Sequence, residues 1–398
     1  MRFLSAGYIF PISSPAIANG IVAVDDAGRI ADILEPGEAS IPEGEIEHFD
    51  GILCPGFVNA HCHLELSWAK GLIESGTGLD GFLRSLDNLR HGKLPVNQEE
   101  AIQKEGTAMY LSGVVATGDI SNSTATQQFK ELSPMLFHTF AEVFASDPAR
   151  ASIAYEKGTA LAESFRALKR NNSASVTPHS TYSVTKQLFK LIAALQENSP
   201  ISIHHQETPA EELFFKTGKG SIADRRLFYN PGLEPYKPTG KLPLESIAPY
   251  LNKNRKTLLV HNTFATSADI RFALQNLRQL AWCFCPNANL YIESCLPEIP
   301  LFIENECDIL LGTDSLASNH QLSVLEEMKT ISAHFRHIPL QEMLGWATLN
   351  GARFFGFDSL GSLQKGKSPG IVHIQNIDNE SLQLKPDSTS RLIIPASQ

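Results

Sequence analysis

Along the middle of the chain, short apolar runs alternate with longer stretches whose apolar residues recur every three or four positions. The short runs are GFVNAH, GVVATGDI, MLFHTFAEVF, SASVTPHS, ISIHHQE, TLLVHNTF, LAWCFCPNAN and DILLGTDS. Being apolar on both faces, they predict parallel strands covered on each side. The longer stretches, AIQKEGTAMYLSG, ASIAYEKGTALAESFRALKR, TKQLFKLIAALQEN and LSVLEEMKTISAHF, predict amphipathic crossover helices. Strand–helix units repeated over about 250 residues predict an α/β fold, a closed (β/α)8 TIM-type barrel. A doubly wound sheet would want a glycine-rich phosphate turn after its first strand, and none is present.

PLQEMLGWATLNGARFFGF adds a pair of helices after the last strand. Residues 216–243, rich in Gly, Pro and polar side chains, predict a long loop between strands five and six and a candidate lid. Both ends of the chain follow a different rhythm. IVAVDDAGRIADIL places an Asp-Asp-Ala-Gly turn between two short apolar runs, and GIVHIQN and RLIIPA repeat the strand pattern near the C-terminus. The two ends together predict a small β-sandwich of residues 1–54 plus 358–398, against a barrel domain of residues 55–357.

Composition narrows the function classes. The chain has 398 residues, 42% of them hydrophobic and 19% charged, in the range of a globular protein. A formal net charge of −10 argues against a nucleic-acid partner. No apolar stretch approaches the roughly 18 residues of a membrane span, and the start lacks a signal-peptide pattern, so a cytoplasmic location is expected. Six scattered cysteines predict reduced thiols rather than a disulfide framework. Oligomeric state is not readable from the sequence, and a homo-oligomer stays open.

The candidate chemistry lies at the strand ends, where a barrel of this kind carries its site. His61 and His63 follow the first apolar run, and alternation in a strand would aim both imidazoles to one side. Strand four ends in His179, strand five in His204 with Glu207 behind it, and strand six in His261. Strand seven ends in Asn287 and Asn289, and strand eight in Asp314. Three imidazoles (His61, His63, His204) and the Asp314 carboxylate suit one divalent metal with a position left open for catalysis. Zinc is the expected ion, and iron accepts the same ligands. No lysine near the ends of strands four and five could bridge a second ion as a carbamate, so one metal is expected.

The runs PGFVNAHCH, His-His-Gln-Glu at 204–207, LLVHNTF and LLGTDSLASN resemble the amidohydrolase superfamily. Within it they resemble the mononuclear, chlorohydrolase-like deaminase branch. The likeness covers nearly the whole chain. It departs at Ser368-Pro369-Gly370, where many relatives carry Ala-Asp after the lysine, far from the chemistry. The resemblance implies His61, His63, His204 and Asp314 as metal ligands and Glu207 as proton shuttle. It implies that His261 polarises the attacking water or steadies the leaving group. The family's His-x-x-Glu spacing selects His204 over His205, which would then face the barrel wall. A metal there lowers the pKa of water from about 15.7 towards about 7. Asp314 and Glu207 would then move protons while an exocyclic amine leaves as ammonia.

For substrate contacts, His179, Asn289, Ser318, Trp68 and Glu65 are the candidates, Glu65 either holding ribose hydroxyls or orienting a histidine. HLELSWAKGLIESGTGLDGFLRSL resembles the segment after the first strand in aminodeoxyfutalosine deaminases of menaquinone biosynthesis. That resemblance implies an adenine-type nucleoside carrying a benzoate, with adenosine or S-adenosylhomocysteine next in order. Trp68, Phe82, Arg84 and the Arg225-Arg226 pair are candidates for the aromatic and cationic walls such a substrate needs. Two other readings stay open: opening of a cyclic amide or chlorinated ring on the same scaffold, and a metal-free barrel used for binding. The second predicts a lost ligand position, and all positions are intact.

Overall fold

The computed structural model describes residues 1–37, 43–92, 96–169, 172–195, 199–378 and 380–397. Its architecture is α/β. Strands β1 (Phe57–Cys62), β2 (Val114–Ser121), β3 (Leu136–Val143) and β4 (Asn172–Pro178) form one parallel sheet in that order. Strands β5 (Ile201–His205), β6 (Thr257–His261), β7 (Leu280–Phe284) and β8 (Ile309–Leu311) form a second. Parallel bridges pair Ser180 with His204 and Cys62 with Asp314, so the two sheets touch at both edges. Every residue of β1, β2, β5, β6 and β8 is buried, as continuous apolar runs require.

Gly312 shows why the last strand can approach the first. A Cβ there would lie 2.8 Å from the His61 Cβ and 2.8 Å from the Cys283 sulfur. Without that side chain, Thr313 N–H and Asp314 N–H both reach the His61 carbonyl, at 2.9 and 3.1 Å.

The helices begin where polar caps predict. Asn97 accepts from Glu99 and Glu100 N–H ahead of the helix Gln98–Leu111, Thr185 caps Lys186–Ala194, and Ser323 caps Val324–His334. The stretch 151–170 gives the helix Ala151–Arg166; Arg170 and residues 196–198, also read as helical, lie outside the described residues. The expected pair after β8 is Leu340–Ala347 and Leu349–Phe355, broken at Thr348. Among the described residues, no helix is long and apolar enough to cross a membrane.

Two expectations need correction. CPNAN does not extend β7, because Pro286 opens the helix Pro286–Glu293 that carries Asn287 and Asn289. Proline pre-sets φ for a first helical turn and cannot donate to a ladder. Residues 216–243 are not one irregular loop. The helix Ser221–Tyr229 lies within them, burying Ile222 and Ala223.

The chain ends meet in one mixed sheet. Its order is Gln383–Ile394, Ile371–Asp378, Ile46–Pro55, Arg2–Ile9, Ile21–Val24 and Ile30–Leu34, with Ile17–Ala18 paired to Arg2–Ile9. Leu4, Val22, Val24, Ile30, Leu53, Ile371 and Ile394 share a core of their own. The predicted hairpin turn is present: Asp25 Oδ1 accepts Ala27 and Arg29 N–H at 2.9 Å each, and Gly28 takes φ +79°. Only Gly56 separates this sheet from β1.

Candidate active site

His61 leaves the end of β1, whereas His63 lies one residue past the strand and opens the turn Leu64–Ala69. The bend is held from beneath. Leu64 N–H donates to Asp119 Oδ1 at 2.9 Å, and Asp119 Oδ2 pairs with Lys130 Nζ at 2.6 Å, both side chains fully buried. The ammonium also donates to Thr139 Oγ1 at 2.8 Å and sits 4.4 Å from the Phe165 ring centroid.

The imidazoles converge. His61 Nε2 and His63 Nε2 lie 3.2 Å apart, and Asp314 Oδ1 is 3.6 and 3.4 Å from them. One nitrogen each from His61, His204 and His261 and one oxygen of Asp314 lie within 4.8 Å of one another, all buried. The donor set suits a borderline divalent cation. Among the described residues, His261 Nε2 has no hydrogen-bond partner despite full burial, as expected of a nitrogen turned toward such a centre.

Protonation states fit as well. Burial pushes His61 down to about 3 and lowers His63 and His204, so all three rings are neutral and offer lone pairs. Burial pushes the Asp314 carboxyl up, but its hydrogen bond with His61 and the closeness of His63 and His261 outweigh it and hold it well below the usual carboxylate range. Ser318 Oγ donates to Asp314 Oδ2. Glu207 behaves oppositely: burial raises it to about 8, so it carries a proton at neutral pH, 3.7 Å from His261 Nε2.

The surrounding groups set ring orientation. His204 Nδ1 donates to the His179 carbonyl at 2.7 Å, leaving Nε2 as the lone-pair nitrogen. His261 Nδ1 donates to Asn289 Oδ1 at 2.9 Å. Asn289 therefore touches a histidine of the site, while Asn287 is bound to Glu327 on the helix Val324–His334. His205 faces the other way, bonded to Asn262 Oδ1 at 3.0 Å with its ring edge-on to Trp282. Gln206, His261, Asn262 and Asp314 all take positive φ, a strained backbone typical of functional strand ends.

The remaining candidates are placed as follows. His179 stacks on His204 with ring centroids 4.7 Å apart, its Nδ1 beside Ser183 Oγ. Trp68 is buried with Leu79, Phe82, Leu86 and Ile292. Alternation does not position Glu65, which sits in the turn after β1; its carboxylate accepts Asn122 N–H, Ser123 N–H and Ser123 Oγ. Arg84 pairs with Asp80 at 2.9 Å, Arg226 donates to the Glu234 carbonyl at 2.7 Å, and Arg225 pairs with Asp87. Sequence reasoning passed over Glu142, the acid one residue before the end of β3, and the Asp119–Lys130 pair. An acid at a strand end was a usable signal for Glu142. The pair had none, since its partners are far from the histidines along the chain.

Residues 52–389 match the family model described as the amidohydrolase family. The chain belongs to that family. This amidohydrolase is 29% identical over 366 residues to an aminodeoxyfutalosine deaminase of Nitratiruptor sp., covering 88% of this chain and 85% of the relative. Its fold matches the crystal structure of Helicobacter pylori aminofutalosine deaminase in complex with methylthio-coformycin: TM-score 0.81, 24% identity, 95% of this chain and 93% of that one. An adenosine deaminase from Xanthomonas campestris with bound zinc matches at TM-score 0.69 and 21% identity, over 94% of this chain and 84% of that one. The resemblance drawn from the sequence motifs is borne out.

Proposed function

We propose that this amidohydrolase is a metal-dependent deaminase of adenine-type nucleosides, with aminodeoxyfutalosine first among substrates and adenosine or S-adenosylhomocysteine next. One observation carries the reading: His61, His204, His261 and Asp314 bring buried ligand-type atoms within 4.8 Å of one another, with Glu207 3.7 Å from His261 Nε2. Deaminase relatives spanning most of the chain support it. We further infer that the eight strands close as a (β/α)8 barrel, with the terminal sheet curled into a small sandwich of residues 1–54 plus 358–398 against 55–357. The bridges at both sheet edges support closure.

His61, His63 and His204 through ring nitrogens and Asp314 through Oδ1 would hold one divalent ion, with zinc the favoured identity. A ring nitrogen of His261 falls within the same cluster, so His261 would lie close to the ion. Bound there, the metal supplies hydroxide at neutral pH by acidifying water. Asp314, ionised and steadied by Ser318, accepts the proton that the attacking water gives up. Glu207 donates its proton to the ring nitrogen next to the carbon under attack, which lets that carbon accept electrons from the nucleophile. His261, held by Asn289, keeps its Nε2 edge toward the reacting centre. The proton held by Asp314 passes to the amine, which departs as ammonia, and the hydroxyl proton on the attacked carbon returns to Glu207 as the C=O bond forms.

The deciding experiment incubates the metal-loaded protein with aminodeoxyfutalosine, adenosine, 5′-methylthioadenosine and S-adenosylhomocysteine side by side. Ammonia release and replacement of the amine by oxygen in the product mass are expected. Release of chloride from a chlorinated ring, or opening of a cyclic amide, with no ammonia from any nucleoside would overturn the reading.

A further inference from the structure

Two buried acids flank the turn after β2, and protein donors engage only one of them fully. Glu65 receives two main-chain N–H groups and a hydroxyl. Glu142 is held at Oε2 by Asn122 Nδ2, 2.9 Å away, while among the described residues no donor bonds to its buried Oε1. The residue is 7% exposed. The ring nitrogen facing Oε1, His204 Nδ1 at 3.8 Å, is already committed to the His179 carbonyl. A buried carboxylate oxygen left this way is costly unless it serves a ligand.

Glu142, His179 and His204 bring ligand-type atoms within 4.8 Å of one another, which raises the question of a second cation. The hydrogen-bond pattern answers it. His204 Nδ1 carries a proton, and His179 Nδ1 is turned to Ser183 Oγ at 2.9 Å. One carboxylate oxygen and at most one lone pair remain, too few for a metal. They suit hydroxyl groups instead, since an O–H donates to a carboxylate in a short, charge-assisted bond.

Position agrees with chemistry. Three imidazoles stand in a row, His261 to His204 at 5.3 Å and His204 to His179 at 4.7 Å between ring centroids. Glu207 lies 3.7 Å from His261 Nε2, whereas Glu142 groups with His204 and His179. On the far side of His204, His179 meets the exposed ring of Phe144 edge-on at 6.1 Å. A nucleoside whose base reacts beside Glu207 would carry its sugar toward Glu142.

We propose that Glu142 accepts the hydroxyl groups of the substrate's sugar, a vicinal diol, and so selects ribosides over deoxyribosides. The inference rests on the nucleoside reading above. It is tested with adenosine and 2′,3′-dideoxyadenosine on the metal-loaded wild type, Glu142→Gln and Glu142→Ala, with metal content measured in each. The wild type should favour adenosine in kcat/KM by about tenfold or more, mostly through KM. In Glu142→Ala that preference should fall to within about twofold of unity with metal content intact, and Glu142→Gln should lie between. A preference unchanged in Glu142→Ala overturns the inference alone. So does an equal loss of kcat on both substrates together with loss of metal, which would make Glu142 a positioning residue for His204. A wild type that releases no ammonia from any nucleoside overturns the function reading, and the inference falls with it.

Discussion

The Nδ1 of His204 lies 2.7 Å from the main-chain carbonyl oxygen of His179. This bond favours His204 over its neighbour His205 as a ligand in the proposed metal site. It places a proton on Nδ1, presents the opposite nitrogen to the cluster, and leaves His205 to the wall around Trp282.

The two histidines should therefore separate cleanly in mutants. His204→Ala should lose its metal on dialysis, whereas His205→Ala should keep stoichiometric metal and lose only thermal stability. Elemental analysis of the two purified variants checks this.

Glu207→Gln should keep metal and substrate affinity but lose about 10²- to 10⁴-fold in kcat, because the amide has no acidic proton to give. Steady-state kinetics alongside metal analysis is the check. A near-normal rate would move the proton donor elsewhere.

Asn289→Leu removes the acceptor of His261 Nδ1–H without touching the Asp314 side of the site. A fall of about 10- to 100-fold in kcat, with metal content retained, is expected. Restoration of most of the rate by Asn289→Asp, which keeps the acceptor oxygen, would distinguish ring orientation from general damage.

Much of this site was legible in the sequence because its residues cluster at the ends of apolar runs, where alternation and chain direction constrain them. His61, His204, His261 and Asp314 were readable on that ground. The partners were less so. Asn289 was visible as a polar residue after β7, but the helix that turns it onto His261 follows from Pro286, which the strand pattern masked. The helix Ser221–Tyr229 was hidden by the Gly and Pro residues around it, although only its own nine residues needed helical propensity. Asp119 and Lys130 were invisible because a buried ion pair reads, along the chain, like two ordinary charges.

Lys130→Met leaves Asp119 charged, buried and without its cation, which should cost about 3–5 kcal/mol of stability. Denaturant midpoints for Lys130→Met and for the double variant Lys130→Met/Asp119→Leu test this. The double variant should recover part of the loss, apart from what the Leu64 N–H forfeits.

Glu211, buried on the helix Pro209–Thr217, is raised to about 8 by burial despite the hydrogen bond from Thr181. In the folded chain its proton stays on where the unfolded chain has released it. Its contribution to stability is full below the ordinary glutamate range and is lost as pH rises through about 8. Glu211→Gln should flatten the decline of melting temperature between those limits, as read by thermal scans across pH. An unchanged slope would assign the decline to other acids.

The spacing of the donors along the polypeptide has a consequence for biogenesis. His61 emerges from the ribosome early, but Asp314 follows only after some 250 further residues. Until β8 docks against β1, the early histidines have no carboxylate to complete a chelate. On the proposed metal reading, ion capture would be a late event in the life of the nascent chain, coupled to the docking of β8 against β1, and a protein starved of metal during synthesis should still be able to load it afterwards.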